Sequence, residues 1–201
     1  MNVVYFGTSQ ESLPALKALM EDARFDVRAV VTQPPRAVGR RQVVTKSAVH
    51  VFAEERDIEI LTPVFADEAM KDLERIAADV HIVVSFGQIL PDELVNLPPN
   101  GTVNVHPSLL PRHRGATPVP AAILAGDEET GVSIMKMDEK MDHGPLLHVR
   151  GGVPIGRKTG GALLQELMEL GASELPDVVA GYVDGTIKPV DQDHDQATFC
   201  S

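Results

Sequence analysis

One cysteine, Cys200, stands in the chain, next to the last residue, so no internal disulfide can close and a thiolate catalyst would have to work from a polar tail. It reads as an idle thiol. No run approaches the roughly 18 apolar residues that a membrane span requires, and the opening MNVVYFGTS lacks the basic stretch and cleavage site of an export signal. A cytoplasmic location without a membrane partner is expected. Positive charge is scarce too: Lys and Arg total 18 against 29 Asp and Glu, a formal charge of -11. Phosphate binding depends on Lys and Arg releasing counterions, so a surface built mainly for nucleic acid is excluded. The deficit is uneven. Between Val27 and Ala53 acidic residues are missing, while Arg28, Arg36, Arg40, Arg41 and Lys46 fall there, which leaves room for a local anionic partner.

Several motifs are missing as well. The turn Phe6-Gly7-Thr8-Ser9 lacks the second and third glycines of G-x-G-x-x-G, which disfavours a dinucleotide. No G-x-S-x-G nucleophile context is present, so a nucleophile would come from the substrate. Neither an H-E-x-x-H helix nor a Cys pair exists to recruit His106, His113, Asp142 and His143 as metal ligands, so no metal is expected. Internal repeats and low-complexity linkers are also missing, and 43% hydrophobic residues suffice for the core of one domain.

What is present alternates between strand and helix. The apolar run at residues 3–6 gives way to helical spacing over 11–20. Strand 27–32, an irregular basic loop, helix 47–55, strand 59–61, helix 67–77 and strand 80–85 follow. The strands are nearly continuous apolar runs, as in a parallel sheet covered by helices on both faces, so an open α/β fold is predicted. Ligands of such folds bind beyond the carboxyl ends of the strands. The turn after Phe6, the loop after Thr32, residues 86–90 and the stretch after His106 should therefore share one edge. Beyond Gly115 the pattern predicts a helix at 119–124, a strand at 131–137, a loop at 138–145, a strand from 146, helical stretches at 160–170 and 172–183, and a polar tail from 184 to 201.

The stretch Asn104-Val105-His106-Pro107 carries the chemistry. Side chains two apart on a strand share a face, so Asn104 and His106 stand together, and Pro107 ends the pairing. An amide donor and an imidazole aimed at one point suit a carbonyl oxygen becoming an oxyanion. Spacing alone equally allows a strand-end histidine beside an Asn that satisfies local backbone. Asp142, in Met137-Asp138-Glu139-Lys140-Met141-Asp142-His143-Gly144, is placed to orient His106 or to accept an amine proton. It also reads as a turn residue bonding its own backbone.

Asn104-Val105-His106-Pro107-Ser108-Leu109-Leu110-Pro111, then Arg114-Gly115, Thr130-Gly131-Val132, Met137-Asp138 and Asp142 through Gly144-Pro145 resemble the formyltransferase family that uses 10-formyltetrahydrofolate. Within it, Phe6-Gly7-Thr8, Thr32-Gln33-Pro34 with Arg36 and Gly39-Arg40, Ser85-Phe86-Gly87-Gln88-Ile89-Leu90-Pro91, and Gln192-Asp193 through Ala197-Thr198 are similar to the branch that formylates methionyl initiator tRNA. The resemblance implies an open Rossmann-like, mostly parallel sheet with helices on both faces. It implies a catalytic trio of Asn104, His106 and Asp142. It assigns folate binding to Phe86, Gly87, Gln88, Leu90, Ser108, Leu109, Leu110, Pro111 and Asp138, and the tRNA acceptor end to Arg36, Arg40 and Arg41. The co-substrate is 10-formyltetrahydrofolate and no metal is called for. Residues 1–190 would form the catalytic domain and 191–201 a tail leading to an absent C-terminal tRNA-binding domain. With a charge of -11, tRNA affinity of this chain alone should be weak and salt-sensitive, and a monomer is expected. By the family's pattern the α-amine attacks the formyl carbon, Asn104 and His106 stabilise the oxyanion, and Asp142 assists. The alternatives are a relative that formylates a small amine, such as glycinamide ribonucleotide or an amino sugar nucleotide, and a folate-binding module without transfer.

Overall fold

A computed structural model describes residues 1–40 and 42–201, in two units, Met1–Thr102 and Val103–Ser201. The first unit alternates β1 (Asn2–Gly7), α1 (Leu13–Glu21), β2 (Asp26–Val31), β3 (Arg36–Val38), β4 (Val43–Thr45), α2 (Ala48–Glu54), β5 (Glu59–Leu61), α3 (Met70–Ile76), β6 (Val80–Val84) and α4 (Asp92–Val95). Four of these strands pair in parallel in the order β6-β1-β2-β5. The central strand explains the apolar runs: Val3, Val4, Tyr5 and Phe6 are wholly buried, so both strand faces must be apolar. Tyr5 is tolerated because its hydroxyl donates to the Ser12 carbonyl at 2.6 Å, and burial pushes the phenol pKa far up. Gly7 ends β1 where a Cβ would lie 2.6 Å from the Tyr5 ring and 3.2 Å from the Val84 carbonyl.

In the second unit β7 (Thr102–His106) enters and is followed by β8 (Arg114–Gly115), α5 (Pro118–Ala125), β9 (Glu129–Lys136), β10 (Leu146–Pro154), α6 (Gly160–Val183) and β11 (Phe199–Cys200). β9 pairs antiparallel with both β7 and β10. Buried Val119 and Ala122 of α5, Leu163 and Leu167 of α6, and Val153 and Ile155 form one apolar cluster. The expected α/β class is borne out, with a parallel sheet in the first unit.

Three local expectations change. The helical stretches at 160–170 and 172–183 are one helix: Gly171 is no break but a point of close packing, where a Cβ would lie 2.7 Å from Val105 Cγ1. The irregular basic loop contains a hairpin, β3 with β4, whose residues are all exposed; a two-sided exposed strand has no alternation to read. The segment read as a polar tail returns to its own unit: Val190 pairs with Leu146, and Phe199 and Cys200 pair in parallel with Arg114 and Gly115. Gly115 makes that pairing possible, since its φ is +121° and a Cβ would lie 1.9 Å from the Cys200 carbonyl.

Candidate active site

β7 displays its side chains in strand alternation. Val103 and Val105 are buried, Val105 toward α6, so Asn104 and His106 look the other way. Asn104 is half-buried, and among the described residues no side-chain hydrogen bond engages its amide. His106 is 4% exposed. Its Nε2 lies 3.0 Å from the His113 carbonyl, which can only accept, so Nε2 carries a proton, and in the neutral ring Nδ1 is a lone pair. That lone pair faces Asp142 Oδ2 at 3.7 Å, too far for a hydrogen bond. Two acceptors thus confront each other across a gap that a proton would close.

Both walls of this gap are anchored. His113, itself in the left-handed region at φ 58°, is tied by Nε2 to Asp127 Oδ2 at 2.8 Å, and Asp127 also takes Arg112 Nη2 at 2.6 Å. Asp142, at φ 48°, accepts the Gly115 N–H at 2.7 Å. The next turn needs Gly144, where a Cβ would lie 1.9 Å from the Lys136 carbonyl. Both left-handed residues are uncommon for side-chain-bearing positions and persist only where surroundings over-determine them.

The structure therefore brings His106 and Asp142 together, with Asn104 on the same strand face. Other expected positions in this unit have internal duties. The buried Ser108 hydroxyl donates to the Arg112 carbonyl at 2.8 Å, while Ser133 donates to the Ser108 carbonyl at 2.7 Å and accepts from Leu110 N–H at 3.1 Å. Ser108-Leu109-Leu110-Pro111 is thus a stitched turn, with Leu110 buried. Asp138 Oδ2 pairs with His143 Nδ1 at 2.6 Å. Three residues have duties that the sequence does not announce: Ser133, Arg114 and Gln192. The Gln192 amide donates to the carbonyls of Asp142 at 3.0 Å and Gly144 at 2.7 Å.

In the first unit, the loop after β6 turns through left-handed Ser85 and Gly87. Thr8 Oγ1 donates to the Phe86 carbonyl at 2.7 Å, and Gln33 Nε2 donates to the carbonyls of Phe86 at 3.2 Å and Gly87 at 3.0 Å. The Phe86 ring is buried edge-on to Phe6, and Leu90 is buried, while Gln88 donates to the Pro63 carbonyl at 3.3 Å. Thr8 and Gln33 lie at the ends of β1 and β2, so three strand-end loops of this unit converge as the fold rule predicts. Arg36 and Arg40 are exposed on and beside the hairpin, and Arg41 lies outside the described residues. Among the described residues no group of three or more His, Cys, Asp or Glu is arranged to hold a metal ion, and no helix is long and apolar enough to cross a membrane.

Comparison with known proteins agrees with this fold. Residues 1–179 match the family described as Formyl transferase. A methionyl-tRNA formyltransferase from Lachnospira eligens is 43% identical over 201 residues, covering 99% of this chain but 64% of that protein. The chain thus spans under two thirds of that relative's length. Among solved structures, phosphoribosylglycinamide formyltransferase from Anaplasma phagocytophilum superposes with a TM-score of 0.78 at 18% identity, covering 100% of this chain and 98% of the other. An N-formyltransferase from Helicobacter canadensis, solved with folinic acid and dTDP-3-aminofucose, gives 0.73 at 20% identity over 99% of this chain and 70% of its own. At such identities these structures establish the fold alone.

Proposed function

The chain belongs to the formyl transferase family, and from that premise we propose that it moves the formyl group of 10-formyltetrahydrofolate to the α-amine of methionyl initiator tRNA. The observation that carries the proposal is the His106 lone pair facing Asp142 across 3.7 Å, in a chain 43% identical to a methionyl-tRNA formyltransferase.

The neutral amine attacks the formyl carbon directly, forming the new N–C bond while the carbonyl π electrons move to oxygen. The unengaged Asn104 amide is the donor for that oxyanion. The proton shed by the amine passes to His106 Nδ1, and the resulting imidazolium is stabilised from both sides, Nε2–H on the His113 carbonyl and Nδ1–H on Asp142. Its positive charge also favours the oxyanion. Collapse breaks the bond to N10 of the folate, which leaves with a proton returned from His106. No enzyme nucleophile is required. Folate contacts are assigned to Phe86, Gly87, Gln88 and Leu90 of the first unit and to Ser108, Leu109, Leu110, Pro111 and Asp138 of the second. Arg36, Arg40 and Arg41 are assigned to the tRNA, held weakly at a charge of -11.

The test is a formyl-transfer assay with 10-formyltetrahydrofolate, offering methionyl initiator tRNA beside glycinamide ribonucleotide and an amino sugar nucleotide. Transfer to the tRNA that falls by a factor on the order of 10²–10⁴ in His106→Ala is the expected result. Formylation of a small amine alone would overturn the acceptor and keep the chemistry. Folate binding without transfer to any of them would overturn the reaction.

A further inference from the structure

We propose that Gln192, backed by Arg114, is a positioning residue that fixes Asp142 against His106; the inference rests on the reading of that pair as the proton-handling groups. Gln192 lies 50 residues from Asp142 in sequence yet is 5% exposed, delivered by the pairing of Val190 with Leu146. Its amide is fully used. Nε2 gives its two protons to the Asp142 and Gly144 carbonyls, and Oε1 accepts from Arg114 Nε at 3.2 Å and Nη2 at 2.6 Å.

Arg114 is the stronger clue. It is 3% exposed, and among the described residues its guanidinium meets no carboxylate: its partners are Gln192 Oε1, His194 Nδ1 at 2.9 Å, and the Phe199 ring at 6.0 Å. A buried guanidinium without a carboxylate is a costly way to pin a segment, and an apolar side chain would do that at less cost. What a cation adds is polarisation. It draws electron density toward Oε1, which strengthens both amide protons against the two loop carbonyls. The peptide joining Arg114 to Gly115 also supplies the N–H held by Asp142 Oδ2. One short segment therefore grips the carboxylate directly and its backbone through Gln192. His194 extends the grip, stacking on His143 at 3.9 Å and 7°, while His143 ties to Asp138 at the other end of the loop. A side chain held at φ 48° and 3.7 Å from its partner needs such bracing, because a displacement near 1 Å costs roughly hundredfold in rate.

Gln192→Glu separates positioning from folding. The carboxylate still takes both Arg114 bonds, but it cannot donate, and it repels the Asp142 and Gly144 carbonyls. Expected are a thermal midpoint within a few degrees of the parent, KM for folate and acceptor within about twofold, and a kcat lower by about 30- to 100-fold. In a His106→Ala background the same change should do nothing more. Should Gln192→Glu fail to fold, Gln192→Met, similar in length and without hydrogen bonds, is expected to give the same split. A readout independent of turnover is the His106 ring 1H–15N signal at fixed pH, assigned by its loss in His106→Ala: it should move in the Gln192 variants as it moves in Asp142→Asn. Folded variants whose His106 signal stays at the parent position, or whose kcat loss persists undiminished in the His106→Ala background, overturn the proposal. A parent chain inactive toward every acceptor would instead sink the reaction, while the His106 signal still decides the clasp.

Discussion

His81 on β6 offers a stability test that does not depend on the reaction. Its ring is 1% exposed, packed on Phe6 at 5.1 Å, and among the described residues Nδ1 has no hydrogen-bond partner. Burial therefore lowers its pKa from 6.5 to about 4, opposed in part by a hydrogen bond with the Leu94 backbone. The unfolded chain binds this proton near 6.5 and the folded chain does not until about 4, so stability is intact above 6.5 and lost as pH falls through that window. At pH 5, about one and a half pH units below 6.5, the loss is about 2 kcal/mol at roughly 1.36 kcal/mol per unit. That corresponds to roughly 4–8 °C in Tm for a chain of this size. Urea unfolding at pH 7 and pH 5 measures the drop for parent and His81→Leu. Leucine leaves the Leu94 group unpaired and lowers stability at both pH values, but it removes the titration. The drop between pH 7 and pH 5 should be smaller in the variant by about 2 kcal/mol. Equal drops in the two proteins would refute the buried neutral histidine.

Three further outcomes are expected. Gly171→Ala places a methyl 2.7 Å from Val105 Cγ1 and 3.0 Å from Val132 Cγ2; overpacking of about 1–3 kcal/mol exceeds the ~1 kcal/mol that Ala gains over Gly in a helix, so thermal melting should come lower, and a rise would contradict the packing account. Asp142→Asn keeps an acceptor for the Gly115 N–H while deleting the charge facing His106; kcat should fall by a factor on the order of 10²–10⁴ with Tm within a few degrees, checked by steady-state kinetics and a melt. Arg36→Ala with Arg40→Ala should flatten the slope of log affinity for tRNA against log salt by about 0.7–0.9 for each phosphate no longer neutralised, leaving kcat at saturating tRNA unchanged.

Strand order apart, much of the first unit is legible from residue type alone. Val80 to Val84 reads as a buried strand because every position is apolar or, at His81, neutral and buried. The shared face of Asn104 and His106 follows from the period of two. The lone-pair confrontation does not, because it depends on His113 offering a carbonyl to Nε2 from left-handed backbone at φ 58°. Ser133 escapes for a similar reason: it serves Ser108 and Leu110 from a strand paired across from His106, and no local pattern announces that duty. Gln192 and Arg114 stand 78 residues apart, and only the return of the final segment onto Leu146 and Gly115 makes them neighbours. The motif around residue 192 carries a family resemblance without revealing what that glutamine holds.

The choice of neutral groups around Asp142 has a chemical logic. Among the described residues the titratable group facing it is His106, and Asp142 and Gly144 take hydrogen bonds from a peptide N–H and an amide. A direct Arg–Asp bridge would fix the carboxylate equally well, but it would cancel the negative charge that favours a proton on His106 Nδ1, and in a poorly solvated site that cancellation is felt strongly. Placing Arg114 behind Gln192 transmits order while leaving the carboxylate uncompensated. Moving the cation closer should therefore be worse than removing it. Gly144 and the left-handed Asp142 leave no slack to absorb a direct bridge, so a Gln192→Arg variant that folds is expected to lose more activity than Gln192→Met, and the reverse order in kcat would show that order, not charge, is what the neutral shell protects.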